Sequence, residues 1–339
     1  MKPWNYPFEM AIWSIIPILI AGNTIVFKPS EYSTKTGMLL NKILNNSGLP
    51  EGVFNFIQGD ATTGELLINN THIDAISFTG STKVGKLISE TNKNSLKKLN
   101  LELGGSDYAV VLNDCDIELA ISGLLWGSFS NAGQVCVATE KILVHKLIYD
   151  KFKNRFIEET NKLKIGKDIS PLITKDKLQD TISLINSSLD NNCNLLAGGY
   201  KYNEYPYNEG NYLQPTVIEC QDKKYMNLLP ELFAPLLYIA SFENIDEVIE
   251  LINNSKFDLG CSIWTSNINH YVDLLDSLQV GMVWINEVNL PFPQVPWLGR
   301  KNSSVGFNLS KNAVYEAMNL KIINNDFSDT KREWWYPYK

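Results

Sequence analysis

The 339-residue chain has no Cys-x-x-Cys pair, no cysteine–histidine cluster and only three histidines. On ligand spacing this excludes a zinc finger or ribbon, and no metal site is expected. Its five cysteines, Cys115, Cys136, Cys193, Cys220 and Cys261, are odd in number and show no paired spacing. No disulfide framework is expected from them, and a reducing cytoplasm fits best. Basic runs are also missing. The 37 acidic and 30 basic residues give a formal charge of −7, which argues against a nucleic-acid partner. No apolar stretch is long enough to span a bilayer. The best candidate, Met10 to Ala21, is preceded by one base, Lys2, and has Glu9 beside it and Pro17 within it. It reads as a buried helix and not as a signal sequence. No targeting segment, membrane partner, repeat or low-complexity tract is visible.

What remains is an ordinary globular composition, 44% hydrophobic and 20% charged, on a chain long enough to bury one large core or two medium ones. Short β-branched runs alternate with amphipathic stretches. Strands are expected at Thr24–Phe27, Val53–Ile57, Ala75–Phe78 and Lys97–Glu102, with helices at Phe8–Ala21, Thr34–Asn45, Glu65–Asn69 and Val84–Thr91 between them. The pattern repeats from Tyr108 onward, with a helix from Asp116 to Phe129 capped by Asp114 or Asp116. Further helices are expected at Ile148–Lys162, Lys175–Asn191 and Ile245–Asn253. This alternation predicts an α/β fold built of βαβ units around a mainly parallel sheet. In such sheets ligands bind beyond the carboxyl ends of the strands. Lys28, Glu31, Gly59 and Ser81 all fall at such ends, a pattern that points to a nucleotide.

Two stretches carry candidate chemistry. Ser130-Asn-Ala-Gly-Gln-Val-Cys136 reads as a turn presenting one thiol. A lone cysteine is commonly a small buried hydrophobe, but Gly133 allows a close backbone approach and the amides of Asn131 and Gln134 need partners if buried. Leu101-Glu102-Leu-Gly-Gly105 puts a carboxylate in an apolar segment ending on two glycines. That acid is either a surface charge at a loop edge or a base in a dry site. A thiol and a water-activating carboxylate are the parts needed to form and hydrolyse a thioester.

Asn131-Ala-Gly-Gln-Val-Cys136 and Glu102-Leu-Gly-Gly105 resemble the two signature motifs of the NAD(P)-dependent aldehyde dehydrogenase family, and further motifs follow in the family's order from Pro3 to about the last twenty residues. The resemblance implies a Rossmann-type cofactor domain (residues 1–103), an α/β catalytic domain (104–310) and a C-terminal tail (311–339) returning to the cofactor and oligomerisation region. It implies oxidation of an aldehyde to a carboxylic acid, with Cys136 as nucleophile, Glu102 as general base, and Asn5 with the Cys136 amide as oxyanion donors. Lys28 and Glu31 resemble a ribose-holding pair, and the Glu31 carboxylate favours NAD over NADP, the alternative. Phe78-Thr-Gly80-Ser81-Thr-Lys-Val-Gly85 is similar to a phosphate-side loop at a helix N-terminus, and Glu231 and Phe233 match residues holding the nicotinamide half.

Some positions depart from the family pattern. Pro230 stands where an acid is usual, Ala234 where a glycine is, and Pro291 to Arg300 replaces a more regular run near the substrate entrance. Glu102-Leu-Gly-Gly-Ser-Asp107 resembles members acting on succinate semialdehyde. Members also carry a long segment ahead of the Pro-Trp-Asn motif, whereas Asn5 stands almost at the start here. A shortened cofactor sheet with exposed edge is therefore expected, completed by a separate chain or left as a non-catalytic homologue that binds a partner. A homo-oligomer is the other expected assembly. The aromatic run in Lys331 to Lys339 is expected to pack on the chain's own body or on a partner.

Overall fold

The computed structural model describes residues 1–328 and 330–337, and His270 by its backbone alone. Cofactor-side elements come first: helix α1 (Pro7–Ile20), strand β1 (Ile25–Phe27), α2 (Thr34–Asn45), β2 (Phe54–Phe56), α3 (Ala61–Asn69), β3 (Ala75–Thr79), α4 (Thr82–Thr91) and β4 (Lys98–Glu102). The chain then runs through β5 (Asp107–Val111), α5 (Ile117–Phe129), β6 (Thr139–His145), α6 (Tyr149–Thr160), α7 (Lys175–Asp190), β7 (Cys193–Ala197), β8 (Thr216–Cys220) and β9 (Leu236–Phe242). Next come α8 (Ile245–Asn253), β10 (Phe257–Asp258), β11 (Gly260–Trp264), α9 (Val272–Ser277), β12 (Met282–Ile285), β13 (Arg300–Lys301), β14 (Ser304–Val305) and α10 (Ser310–Glu316).

The larger sheet has seven strands in the order β12-β11-β5-β6-β9-β8-β7, parallel except for the edge pair β7–β8. Its central strands are buried on both faces, as their unbroken apolar runs require. Tyr108, Val110 and Leu143 pack into one cluster, and Ala109, Val111 and Ile142 into the other. Where the first four strands were expected to join one sheet, they form two. β1 pairs with β2 alone, while β3, β4 and β14 make a separate three-stranded sheet. β14 reaches back from near the C-terminus, pairing Ser304 with Glu102.

Most expected elements are present with shifted ends. α3 begins at Ala61, four residues before the expected start, because Asp60 caps it by accepting from the Thr62 amide. Asp116, not Asp114, caps α5 through the Leu119 amide. The expectation of no disulfide is corrected. Cys193 and Cys220 are cross-strand partners on β7 and β8 with Cα atoms 4.6 Å apart, and they are bonded. Antiparallel register brings them together, which linear spacing could not reveal. The start of the tail packs on the body through α10, where Ala313 is buried and Asn23 Nδ2 donates to the Ala317 carbonyl at 2.9 Å, whereas Trp334 of the aromatic run is 70% exposed. Tyr338 and Lys339, the end of the aromatic run, lie outside the described residues. No helix among the described residues is long and apolar enough to cross a membrane.

Candidate active site

The thiol sits on a turn that only this local sequence tolerates. After α5 the chain passes through Asn131, Ala132 and Gly133, all at positive φ. A Cβ on Gly133 would lie 2.1 Å from the Ala234 carbonyl oxygen, so glycine is required there. Gln134 fastens the turn. Its side-chain amide donates to the carbonyls of Asn131 (3.0 Å) and Pro171 (3.2 Å), and its Oε1 accepts from the Ile173 amide at 2.9 Å. The buried amide is thereby satisfied, as burial demands.

Asn5 reaches the same turn from the other end of the chain. Its Nδ2 donates to the Gln134 carbonyl at 3.2 Å, beside Asn131, whose Nδ2 donates to the same oxygen at 3.1 Å. The second Asn5 Nδ2 hydrogen has no acceptor among the described residues, so the side chain has one donor left beside the thiol turn. The double glycine of the second motif also meets this turn. A Cβ on Gly105 would stand 2.1 Å from the Cys136 carbonyl oxygen, and one on Gly104 would stand 2.3 Å from Glu231 Oε2. The two glycines thus bring the segment after Glu102 against the backbone of Cys136 and the carboxylate of Glu231.

Cys136 is partly accessible, unlike Cys261, which is buried. Its thiol is pushed well above the usual range, first by burial and then by Glu102, Asp107 and Glu231; a hydrogen bond from the Val137 amide works the other way. At rest it is a thiol, and a cationic group arriving nearby would draw it toward thiolate. Glu102 ends β4 and is buried, and its Oε1 has no hydrogen-bond partner among the described residues. Burial raises its carboxyl to about 8, against the pull of Lys2 and a hydrogen bond from Trp297. Lys2 is itself buried and lowered to about 7, with its Nζ on Ser77 Oγ (3.1 Å) and Thr79 Oγ1 (2.9 Å). An acid of this kind changes protonation near neutrality, which suits a general base.

The expected cofactor residues fall into three groups. Lys28, Glu31 and Gly59 gather where β1 and β2 end. Lys28 feels both Glu31 and Asp60, and among the described residues its Nζ donates only to the adjacent Pro29 carbonyl at 3.1 Å. Gly80 and Ser81 follow β3, where Ser81 caps α4 through the Val84 amide at 3.4 Å. A Cβ on Gly80 would meet the Phe78 ring at 2.5 Å. Glu231 and Phe233 stand by the thiol. Glu231 accepts from the Gly105 amide at 3.3 Å and is raised to about 8, chiefly by burial. Phe233 is at positive φ and packs edge-on to Trp4, with centroids 5.7 Å apart.

Sequence reasoning overlooked Glu140. Its Oε1 accepts from the amides of Leu232 (2.7 Å) and Phe233 (3.0 Å), and its Oε2 from the Ser106 hydroxyl at 2.5 Å. A charge in the middle of the β-branched run after the thiol was the available signal, since a buried strand acid must be partnered. Lys2, Asp60 and Trp297 were also missed. No group of three or more metal-ligating side chains occurs among the described residues.

Residues 1–323 match the model of the aldehyde dehydrogenase family. The chain belongs to that family. It is 36% identical over 312 residues to a phenylacetaldehyde dehydrogenase of Pseudomonas fluorescens, covering 90% of this chain and 62% of that protein. It is 34% identical over 329 residues to mouse aldehyde dehydrogenase 1A1, covering 95% of this chain and 65% of the relative. The chain thus spans less than two thirds of the length of both relatives. Among solved structures, betaine aldehyde dehydrogenase of Staphylococcus aureus in complex with NAD+ superposes with a TM-score of 0.93 at 30% identity, covering 99% of this chain and 68% of that one. The architecture is therefore the α/β fold of this family, with part of a Rossmann-type sheet beside a larger catalytic sheet.

Proposed function

We propose that the chain acts as an NAD-dependent oxidoreductase that converts an aldehyde to a carboxylic acid. What carries the reading is the convergence of Asn5, Cys136 and the Glu102-Leu-Gly-Gly105 segment on one turn, with Glu102 Oε1 left unpartnered beside it. The Cys136 sulfur would add to the aldehyde carbonyl carbon as a thiolate, giving a thiohemiacetal, with Asn5 Nδ2 and the Cys136 amide donating to the oxyanion. NAD, when bound, supplies the hydride acceptor that turns the thiohemiacetal into a thioester. Glu102 would then take a proton from water, which attacks the thioester carbon and releases the acid and the Cys136 thiol.

Residues 1–103 would hold the cofactor and 104–310 the nucleophile, with 311–339 returning to the cofactor side. Lys28 and Glu31 would hold a ribose, Gly59, Gly80 and Ser81 the diphosphate side, and Glu231 with Phe233 the nicotinamide half. The site fits such a group: Gly80 closes a tight turn into the N-terminus of α4, where backbone N–H groups favour an anion. Glu31 favours NAD, with NADP the lesser alternative. Succinate semialdehyde is our reading of the substrate, from Gly105-Ser-Asp107 and its neighbours. Cys136 must stay unoxidised for this chemistry, while the Cys193–Cys220 bond removes the reason for expecting a reducing cytoplasm. Assembly would be a homo-oligomer or a pairing with a second chain. The other reading is a non-catalytic homologue that binds a partner. Incubating the purified protein with NAD and a panel of aldehydes, and following absorbance of the reduced cofactor, separates the two. Turnover supports the enzyme, whereas folded protein that neither turns over nor binds NAD supports the partner.

A further inference from the structure

The segment from Glu102 to Gly105 is held through its backbone, residue by residue, by different parts of the molecule. The Glu102 carbonyl accepts from the Gly80 amide at 3.0 Å, and the Leu103 amide donates to the Ser303 carbonyl at 2.9 Å. The Gly104 amide donates to the Thr82 hydroxyl at 3.2 Å, and the Gly105 amide to Glu231 Oε1 at 3.3 Å. Gly80 and Thr82 belong to the turn and first residue of α4, and Ser303 to the link between β13 and β14. The Glu102 carboxylate itself is held far less, since its Oε1 has no partner among the described residues. Its aim is therefore set by the backbone beneath it.

Thr82 makes the widest connection. Its hydroxyl accepts from Gly104 and gives its own proton to the Asn302 carbonyl at 3.3 Å, so both of its roles are in use. Asn302 is anchored in turn. Its Nδ2 donates to the Lys256 carbonyl at 2.9 Å, and the neighbouring Ser303 is fully buried, with its Oγ accepting from the Asp258 amide at 3.0 Å. One hydroxyl thus joins the start of α4, the segment after the proposed base, and the hairpin beside β10. The backbone of the same residue is uncommitted. Ser81 takes the Val84 amide on its Oγ (3.4 Å) and the Gly85 amide on its carbonyl (3.0 Å), which leaves the Thr82 and Lys83 amides without an acceptor among the described residues. There is no slack between α4 and the segment either, because a Cβ on Gly85 would stand 2.3 Å from Leu103 Cδ2. A shift of the first turn of α4 must be carried into Leu103 and Gly104.

We propose that Thr82 is a positioning residue, whose hydroxyl couples the filling of the α4 N-terminus by the cofactor's diphosphate to the setting of Glu102 for attack of water on the Cys136 thioester. This role rests on the oxidoreductase reading given above. It divides the reaction in a particular way. Formation of the thioester uses the thiol and the hydride acceptor, whereas only its hydrolysis uses Glu102 as base. Loss of the hydroxyl should therefore slow the second half and spare the first.

The test compares Thr82→Val, which keeps the branched shape without the hydroxyl, with Thr82→Ser, which keeps the hydroxyl. In rapid-mixing traces with NAD and an aldehyde that the wild type oxidises, the first release of reduced cofactor by Thr82→Val should keep its rate. The steady rate that follows should fall by roughly 10- to 100-fold. Thr82→Ser should restore it. A second readout needs no turnover. NAD added without aldehyde should slow amide hydrogen exchange across residues 102–105 in the wild type and Thr82→Ser, and leave it unchanged in Thr82→Val, although titration finds NAD bound to all three. Thr82→Val that keeps the NAD-induced protection, loses first release and steady rate together, or fails to bind NAD overturns the coupling, as does a Thr82→Ser equally impaired. Wild-type protein that binds no NAD overturns the oxidoreductase reading and this role with it, whereas normal wild-type turnover with an unaffected Thr82→Val overturns this role alone.

Discussion

Glu140 Oε1 accepts from the Phe233 amide at 3.0 Å and fixes that residue in a left-handed conformation a phenylalanine otherwise avoids. With the Leu232 amide on the same oxygen and Ser106 on the other, one buried carboxylate ties the Glu231–Phe233 loop to the segment after Glu102. Glutamine can accept the same two amides and donate to Ser106. Glu140→Gln is therefore expected to keep near-normal stability and NAD affinity. Glu140→Ala leaves buried amides unpaired at about 1–3 kcal/mol each, and should lower the melting temperature and weaken NAD binding. Calorimetry and cofactor titration of both variants check this, and equal loss in the two would refute the role.

If Glu102 is the base of the proposed reaction, it links pH to rate. Its carboxyl is raised to about 8, so the basic form gains as pH climbs through that value, and thioester hydrolysis should accelerate with it. Trp297 donates the hydrogen bond that holds the value down. Trp297→Phe is expected to move the acid limb of the pH–rate profile to higher pH, and a limb that stays put or moves down contradicts the assignment.

The same shift affects stability. Glu102 and Glu231, both raised to about 8, bind protons more tightly folded than unfolded. Their contribution is complete below the unfolded carboxyl value of about 4.3 and is lost as pH rises through 8. Glu102→Gln removes one share, so its melting temperature should fall less steeply than the wild type's between about pH 5 and 8. Parallel melting curves in the two proteins would count against a buried, unpaired Glu102.

Much of this was legible in the sequence where local pattern and tertiary role agree. α2 and α8 have the expected ends because their periodicities are unbroken and bounded by polar residues. The two-residue strands β10 and β13 were not legible, since only tertiary contact defines them. The thiol turn, the double glycine and Asn5 stood out as motifs, yet their meeting was not visible, because Asn5 and Gln134 are 129 residues apart. Trp297 sat inside a proline-rich run that departs from the family pattern, so nothing marked it as the partner of Glu102.

Glu31 lies free of salt bridges among the described residues, close enough to Lys28 to act on it. If it holds the ribose hydroxyls, Glu31→Gln removes the charge that repels a 2′-phosphate. The ratio of kcat/KM for NAD over NADP should then drop by roughly tenfold, about 1.4 kcal/mol. An unchanged ratio places Glu31 outside the cofactor site.

In the proposed reaction Cys136 Sγ carries the acyl group, and trapping that group tests the role most directly. Glu102→Gln protein is mixed with NAD and an aldehyde that the wild type oxidises, quenched in acid and digested for mass spectrometry. With its base removed, the thioester should accumulate, and the acyl mass should appear on the peptide containing Cys136 and vanish in the Cys136→Ser, Glu102→Gln double variant. Acyl mass on Cys115 or Cys261, or none on any cysteine while the reduced cofactor still forms, would contradict it.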